Sequence, residues 1–212
     1  MIIPFGQYRN KLLNDIINED RQYLEWLNTQ PWFKIKYDEL YREIQKNLIQ
    51  SIKNTEISSD QFVIYTDGAC SHNGSNRAKG GIGVYFSPSN EIKIPNISSK
   101  LEVEKPTNNI AELVAILSAL KKCAEYKVTH PIIIFTDSQY SINCINCWFP
   151  VWVKKNTLKG KKNVDILVQI NNILPPNLEL IHIRAQHDTK LTDEHSIGNK
   201  MADQLAVNGI NK

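Results

Sequence analysis

The sequence predicts an α/β protein: a mixed β-sheet flanked by helices, preceded by a small, mainly helical N-terminal domain. Three observations carry this. Residues 1–57 place apolar side chains at helical spacing. From Gln61 onward, short β-branched and aromatic runs alternate with amphipathic stretches, and three strands open the series. The run Ile132–Thr136 (IIIFT) is continuously apolar, the pattern of a central strand buried on both faces.

In chain order, Asn18–Leu27 and Tyr37–Ile52 read as helices, with Leu40, Ile44 and Leu48 on one face of the second. Pro31 lies between them and ends the first. Asn54–Asp60 (NTEISSD) is polar and rich in turn formers, which makes it the linker between an accessory domain, 1–57, and a catalytic domain, 58–212. Gln61–Thr66 (QFVIYT) is a strand that stops at Asp67-Gly68. Gly80–Phe86 (GGIGVYF) is a second, with Gly on one face, and Glu91–Ile97 is a candidate third. Ala111–Lys122 is an amphipathic helix entered from Thr107-Asn108. Ile132–Thr136 follows as a strand, and Ser138–Trp148 as a helix opening directly after it. Glu179–Ile183 is another strand, and Gly198–Val207 a closing helix. There is no internal repeat.

Composition narrows the class. A chain of 212 residues with 42% hydrophobic and 22% charged side chains is an ordinary globular one. At this length it buries roughly 70% of its unfolded surface and needs no disulfide or metal staple. Four Cys do not make a secreted disulfide framework. No apolar stretch approaches the ~20 residues of a membrane span. The opening MIIPFGQYRN has no basic region followed by an apolar run, so no signal peptide is visible. The expectation is an intracellular protein, cytoplasmic or nuclear, with no membrane partner. The net charge of +3 does not by itself indicate nucleic acid. Its distribution says more: charges balance over residues 1–59, and the surplus is densest at Lys154, Lys155, Lys159, Lys161 and Lys162, with no carboxylate until Asp165.

Two strands end alike, in Tyr65-Thr66-Asp67-Gly68 and Phe135-Thr136-Asp137-Ser138. A carboxylate just past a strand's C-terminal end projects into the crevice where open α/β sheets bind ligands. Glu112 stands in the first turn of a helix, and Asp203 in the last helix. Read singly, each has an ordinary explanation: a turn former, a helix cap or a complement to the helix dipole. Spread through the chain at element ends, the four cannot be local ion pairs. If the fold gathers them, hard divalent cations with oxygen ligands offset their repulsion. Two such ions about 3.5–4 Å apart stabilise the attacking and leaving oxygens of an in-line phosphoryl displacement.

The blocks YTDGAC, TNNIAEL, FTDSQY and GNKMADQLA, in this order, resemble the four carboxylate blocks of type 1 ribonucleases H. The resemblance runs from about Gln61 to Asn208. It implies a five-stranded mixed sheet with helices on both faces, and hydrolysis of the RNA strand of an RNA–DNA hybrid by two-metal-ion catalysis. Carried over by position, Asp67, Glu112, Asp137 and Asp203 are the catalytic metal ligands, for two Mg²⁺ or Mn²⁺ ions. Asp67 and Asp137 are shared most closely with the ions, and Glu112 and Asp203 each complete one site. The resemblance further implies that water attacks the phosphate in line, leaving 3′-hydroxyl and 5′-phosphate ends. On this resemblance the expected partner is an RNA–DNA hybrid, and the protein is expected to be a monomer.

The resemblance extends further. Asn73 in SHNG, Cys70 and the pair Asn108-Asn109 fall where the family contacts the RNA 2′-hydroxyls. A 2′-hydroxyl donates and accepts, and an amide side chain meets either role. Asn73 is equally read as a left-handed turn residue before Gly74. Thr107 and Asn163 match a pocket for a phosphate of the DNA strand. Trp148 and Trp152, leading into Lys154-Lys155-Asn156, resemble the basic protrusion that grips the hybrid. The sequence departs from the family in three places. Thr157-Leu158 stands where a third Trp is usual, and the protrusion is short before Lys161-Lys162. The flexible-loop histidine corresponds to His187 in RAQHD, but sixteen residues rather than about ten separate it from Asp203, and the insertion holds a rival, His195.

The N-terminal IPFGQYRNKLLNDIINEDRQYLEWL resembles a small motif, Phe-Gly-x-Tyr followed by a Tyr-Leu-x-Trp-Leu helix, found beside some exonuclease domains. Its balanced charge argues against strong phosphate binding. Tyr23, Trp26 and Trp32 read as its small core rather than a stacking platform. Cys144 and Cys147 form a CxxC on a predicted helix, with no second ligand pair for zinc. Cys70 and Cys123 are unpaired, as suits a reducing compartment. Two other functions fit the residues less well. A DEDD-type 3′–5′ exonuclease wants Asp-x-Glu on its first strand, and Asp67-Gly68-Ala69 offers no Glu. A non-catalytic hybrid-binding module does not need the full set of carboxylates that this chain has.

Overall fold

The computed structural model describes the chain except for residue 29, residues 54–59 and residues 184–193. It divides into two compact units, Met1–Glu56 and Ile57–Lys212. No helix among the described residues is long and apolar enough to cross a membrane.

Among the described residues the first unit holds a short 3-10 helix (Gly6–Tyr8) and four α-helices: α1 (Leu13–Glu19), α2 (Arg21–Asn28), α3 (Pro31–Lys36) and α4 (Asp38–Lys53). Ile3, Leu13, Ile16, Leu24, Leu27, Phe33, Leu40 and Ile44 form its core. Asp20 separates α1 from α2 and caps the second, its Oδ1 accepting the Tyr23 N–H at 3.0 Å. Pro31 does not merely interrupt: it begins α3, because its fixed φ and missing N–H suit a first helical turn. The Phe-Gly-x-Tyr motif has a packing explanation. Phe5 meets Trp32, Phe33 and Tyr37 ring to ring. Gly6 takes a φ of 68° and leaves no room for a Cβ beneath the Tyr23 hydroxyl. Tyr8 packs edge-on to Tyr23 and donates its hydroxyl hydrogen to Asp20 at 2.7 Å. Tyr23 and Trp26 pack against the core as expected, whereas Trp32 stays 43% exposed at its rim.

The second unit is a five-stranded mixed sheet in the order β3-β2-β1-β4-β5. Strands β1 (Phe62–Ser71), β2 (Lys79–Phe86) and β3 (Ile97–Lys100) form an antiparallel meander; β4 (Ile132–Thr136) and β5 (Leu178–His182) add in parallel. Helix α5 (Asn108–Glu125) covers one face and α9 (Glu194–Gly209) the other. Between β4 and β5 run α6 (Gln139–Ile142), a π-helical segment Asn143–Trp148, α7 (Phe149–Lys154) and α8 (Val164–Ile173), which packs on α5. The larger core lies on the α5 side, where Phe62, Ile64, Ile132 and Ile134 meet Leu113, Ile116 and Leu120. Each such side chain, fully buried, stabilises the fold by about 1.5–3 kcal/mol.

Three elements depart from expectation. The third strand is Ile97–Lys100, not Glu91–Ile97. Side-chain amides take the place of strand pairing before it: Asn90 bonds both the N–H and the C=O of Val63, and Asn96 Oδ1 accepts the Phe86 N–H. The first strand runs on past Asp67 to Ser71, because β2 keeps pairing with it through Ser71↔Lys79. The helix after β4 widens into the π segment and continues through α7, so Cys144 and Cys147 lie in that segment, neither in a disulfide.

Candidate active site

Where β4 stops pairing with β1 decides the position of two carboxylates. The last parallel register pair is Thr66↔Thr136, so Asp67 and Asp137 are equivalent positions one residue beyond it on adjacent strands. By strand alternation Asp67 shares the face of its partner Gly83. That face lies against α9, for a Cβ on Gly83 would fall 2.0 Å from the Ala202 carbonyl oxygen. Gly68 points the other way, against the α5 backbone, where a Cβ would meet the Glu112 nitrogen at 2.2 Å. Only glycine lets the two helices approach so closely, and their approach brings Glu112 and Asp203 toward the strand ends.

Helix α5 begins at Asn108, with the Thr107 hydroxyl accepting the Ile110 N–H at 3.2 Å as its cap. Glu112 is thus its fifth residue and opens the second turn rather than lying in the first. One ligand oxygen from each of Asp67, Glu112 and Asp137 lies within 4.8 Å of the other two. Asp67 and Glu112 are nearly buried, at 8% and 9% exposure. Burial, with repulsion from Asp137 and Asp203, pushes the Asp67 carboxyl up to about 7; the Gly68 N–H and a hydrogen bond with Glu112 oppose this. Burial and the charges of Asp67 and Asp137 hold Glu112 well above the usual carboxylate range. Burial also raises Asp137, with a further push from Asp203. Asp203 stands on α9, exposed and outside the close triad, yet near enough to act on both aspartates.

This arrangement fits a hard divalent cation. The donors are all carboxylate oxygens, each held against its own repulsion, and Glu112 Oε2 is buried with no hydrogen-bond partner among the described residues. A cation at the triad would satisfy that oxygen and remove the repulsion.

The remaining expected residues fall into two groups. Cys70, half-buried on β1, and exposed Asn73, Asn108 and Asn109 belong to the region around the start of α5, where the Asn73 Oδ1 accepts the Asn108 N–H at 3.4 Å. Asn73 is not the left-handed residue of its turn: His72 and Gly74 take positive φ instead. The second group gathers around Tyr140, which the sequence motifs left without a role. Its ring meets Trp148 edge-on at 5.9 Å, Trp148 stacks on Trp152 at 6.3 Å, and its hydroxyl accepts an Asn163 amide hydrogen at 2.9 Å. Lys161 lies over the Trp152 ring. Asn163 itself takes a left-handed φ of 60° at the start of α8.

His187 lies outside the described residues. His195 is not an exposed loop residue: it stands in the first turn of α9, half-buried on Phe135 and hydrogen-bonded to Tyr65. A further histidine without a role in the sequence reading, His182 at the end of β5, contacts the backbone of Asp137. Neither the sequence motifs nor spacing single it out, since strand register alone brings it there.

Comparison with known proteins agrees with this geometry. The family described as RNase H matches residues 59–211. The chain is similar to the ribonuclease H of Schizosaccharomyces pombe, with 34% identity over 160 residues, covering 73% of this chain and 54% of that protein. It is similar to the ribonuclease H of Orientia tsutsugamushi, with 36% identity over 153 residues, covering 69% and 80% respectively. The solution structure of the PFV RNase H domain superposes with a TM-score of 0.57 at 27% identity, covering 71% of this chain and 94% of that one. The chain spans about half the length of the fission-yeast and mammalian relatives it matches.

Proposed function

Since the chain belongs to the ribonuclease H family, we propose that it is an endonuclease that hydrolyses the RNA strand of RNA–DNA hybrids and leaves 3′-hydroxyl and 5′-phosphate ends. The observation that carries this is the triad Asp67, Glu112 and Asp137, whose ligand oxygens converge within 4.8 Å at the end of the parallel strands. With Asp203 they hold two Mg²⁺ ions, for which Mn²⁺ substitutes. Such a pair, when bound, stabilises the charge on the attacking and leaving oxygens of an in-line displacement.

The chain's own groups do the rest. The α5 and α9 backbones, seated on Gly68 and Gly83, fix Glu112 and Asp203 relative to the strand ends. Asn73, Asn108, Asn109 and Cys70 lie around the α5 start and meet the RNA strand, with the amides reading the 2′-hydroxyls. Trp148, Trp152, Asn163 and the lysines beyond them meet the DNA strand, with Thr107 at a phosphate. His187 assists proton transfer and product release. Residues 1–57 form an accessory unit. Its aromatic residues pack largely on one another and its charge balances, which supports a packing or protein-contact role over phosphate binding. The protein acts as a monomer inside the cell, a setting that four cysteines outside any disulfide suit.

The test is cleavage of end-labelled RNA–DNA hybrid beside double-stranded RNA and double-stranded DNA, with Mg²⁺ and with EDTA. Internal cuts in the RNA of the hybrid alone, abolished by EDTA, are expected. Stepwise removal from a 3′ end, or cleavage of all three duplexes, would refute the reading.

A further inference from the structure

We infer that His182 is a positioning residue for Asp137: its ring holds the peptide of that ligand in place where strand pairing ends, and so sets the affinity of the site for a divalent cation. The inference rests on the reading of Asp137 as a metal ligand.

Strands β4 and β5 pair in parallel up to Thr136↔His182, and the Ile183 N–H donates to the Thr136 carbonyl at 2.9 Å. Asp137 lies one residue past the end of that ladder. Its carbonyl oxygen accepts the Gln139 N–H at 3.2 Å and faces His182 Nε2 at 3.1 Å. A carbonyl oxygen only accepts, so Nε2 carries the hydrogen. A side chain of β5 thereby continues the work of the ladder for one more residue. On the other side the turn is also fixed, by the Ser138 N–H to Thr136 Oγ1 at 3.1 Å.

The tether has a purpose that the triad itself supplies. Three carboxylates within 4.8 Å repel one another before a cation arrives. Rotation of the Asp137 peptide would carry its carboxylate away from the other two and relieve that repulsion. The His182 hydrogen bond opposes the rotation. Groups that orient a ligand in this way typically change metal affinity or activity by about 10–100-fold when removed.

The experiment compares His182→Gln, which keeps an amide N–H near the position of Nε2, with His182→Leu and His182→Phe, which keep bulk and lose the donor. Mn²⁺ binding to the full chain without substrate is measured by the electron paramagnetic resonance signal of free Mn²⁺, beside the Mg²⁺ dependence of cleavage at saturating hybrid. Leu or Phe, whichever folds, should weaken Mn²⁺ binding about ten-fold or more and shift the Mg²⁺ requirement equally, and Gln should stay within about three-fold of the parent. Leu and Phe variants that bind Mn²⁺ as the parent does, or a Gln variant as weak as they are, would overturn the inference and leave His182 a packing residue. Asp137→Asn is measured alongside: unchanged Mn²⁺ affinity there would refute the ligand reading itself, independently of His182.

Discussion

The Tyr65 hydroxyl and His195 Nδ1 stand 3.1 Å apart, and the His195 ring lies 4.3 Å from that of Phe135. Tyr65 and Phe135 are a register pair, two residues before Asp67 and Asp137 on the same strands. His195 therefore sits on the sheet one step below the carboxylates and anchors the start of the helix that carries Asp203 about two turns further on. This separates the two histidines that the sequence leaves as rivals.

His195→Ala is expected to destabilise the fold by about 1–2 kcal/mol, because the buried Tyr65 hydroxyl loses a partner. His187→Ala should leave stability unchanged and slow turnover within the ~10²–10⁴-fold range of general acid–base assistance. Thermal unfolding and single-turnover cleavage of both variants decide it. A stable but slow His195→Ala beside an active His187→Ala would reverse the assignment.

Asp137→Asn should lose more than the ~10²–10⁴-fold that a proton-transfer group supplies, since it removes a metal ligand. Hybrid binding and fold should persist, and the cation-free protein should melt no lower than the parent, as one repelling charge is gone. Turnover near the parental rate would sink the two-metal assignment.

The raised carboxyls make cation-free stability depend on pH. Asp67 lies at about 7 in the folded chain against an ordinary 3.8, so the folded state holds the proton more tightly. That contribution is complete below the unfolded value and is lost as pH rises through about 7, with Glu112 acting in the same direction. In EDTA the melting temperature should therefore fall between about pH 5 and pH 8, and Mg²⁺ should raise it more at the higher pH. A flat profile, or one that Asp67→Asn leaves as steep, would contradict the burial argument.

Gly83→Ala should cost about 3 kcal/mol or more, since its methyl group would collide with backbone and neither β2 nor α9 can yield cheaply. Gly160→Ala is the control: it has a φ of 79° but open space, and should cost only about 1–2 kcal/mol. Chemical denaturation of the two variants gives the comparison. Similar losses would mean that α9 shifts easily over the sheet.

Asn73→Ala should weaken discrimination for ribose more than binding as a whole. Its amide lies at the start of α5 beside Asn108, exposed and free to meet a 2′-hydroxyl. Hybrids carrying 2′-deoxy sugars at single positions around the cut supply the readout. An unaltered preference would leave Asn73 with no part in sugar recognition.

What the sequence revealed follows the range of its signals. The apolar run Ile132–Thr136 and the Thr-Asp steps at residues 66–67 and 136–137 are local patterns, and the fold brings the two aspartates together although the first strand continues past Asp67. The displaced third strand was hidden because Ile92 and Ile94 alternate as in a strand, while Asn90 and Asn96 take up backbone groups that a ladder would use. Helix α8 gave no start signal, since Asn163 takes a left-handed conformation and its amide turns to Tyr140 instead of capping. The roles of His182 and Tyr140 depend on neighbours far along the chain, which no window of sequence contains. The insertion before Asp203 can be counted in the sequence, but the packing of His195 within it cannot be read there.

The two neighbours of β1 differ in how far the chain must travel to reach them. Its meander with β2 and β3 closes contacts between adjacent segments, whereas Thr66↔Thr136 joins positions about seventy residues apart. Long closures cost more chain entropy and slow folding. The meander is therefore expected to form early, as a hairpin layer whose Gly81 and Gly83 face awaits α9, with the parallel half docking later. Asp67 belongs to the early half, Asp137 to the late one, and Asp203 to the covering helix. On the proposed function, the carboxylate site would then be complete only once these three parts have met.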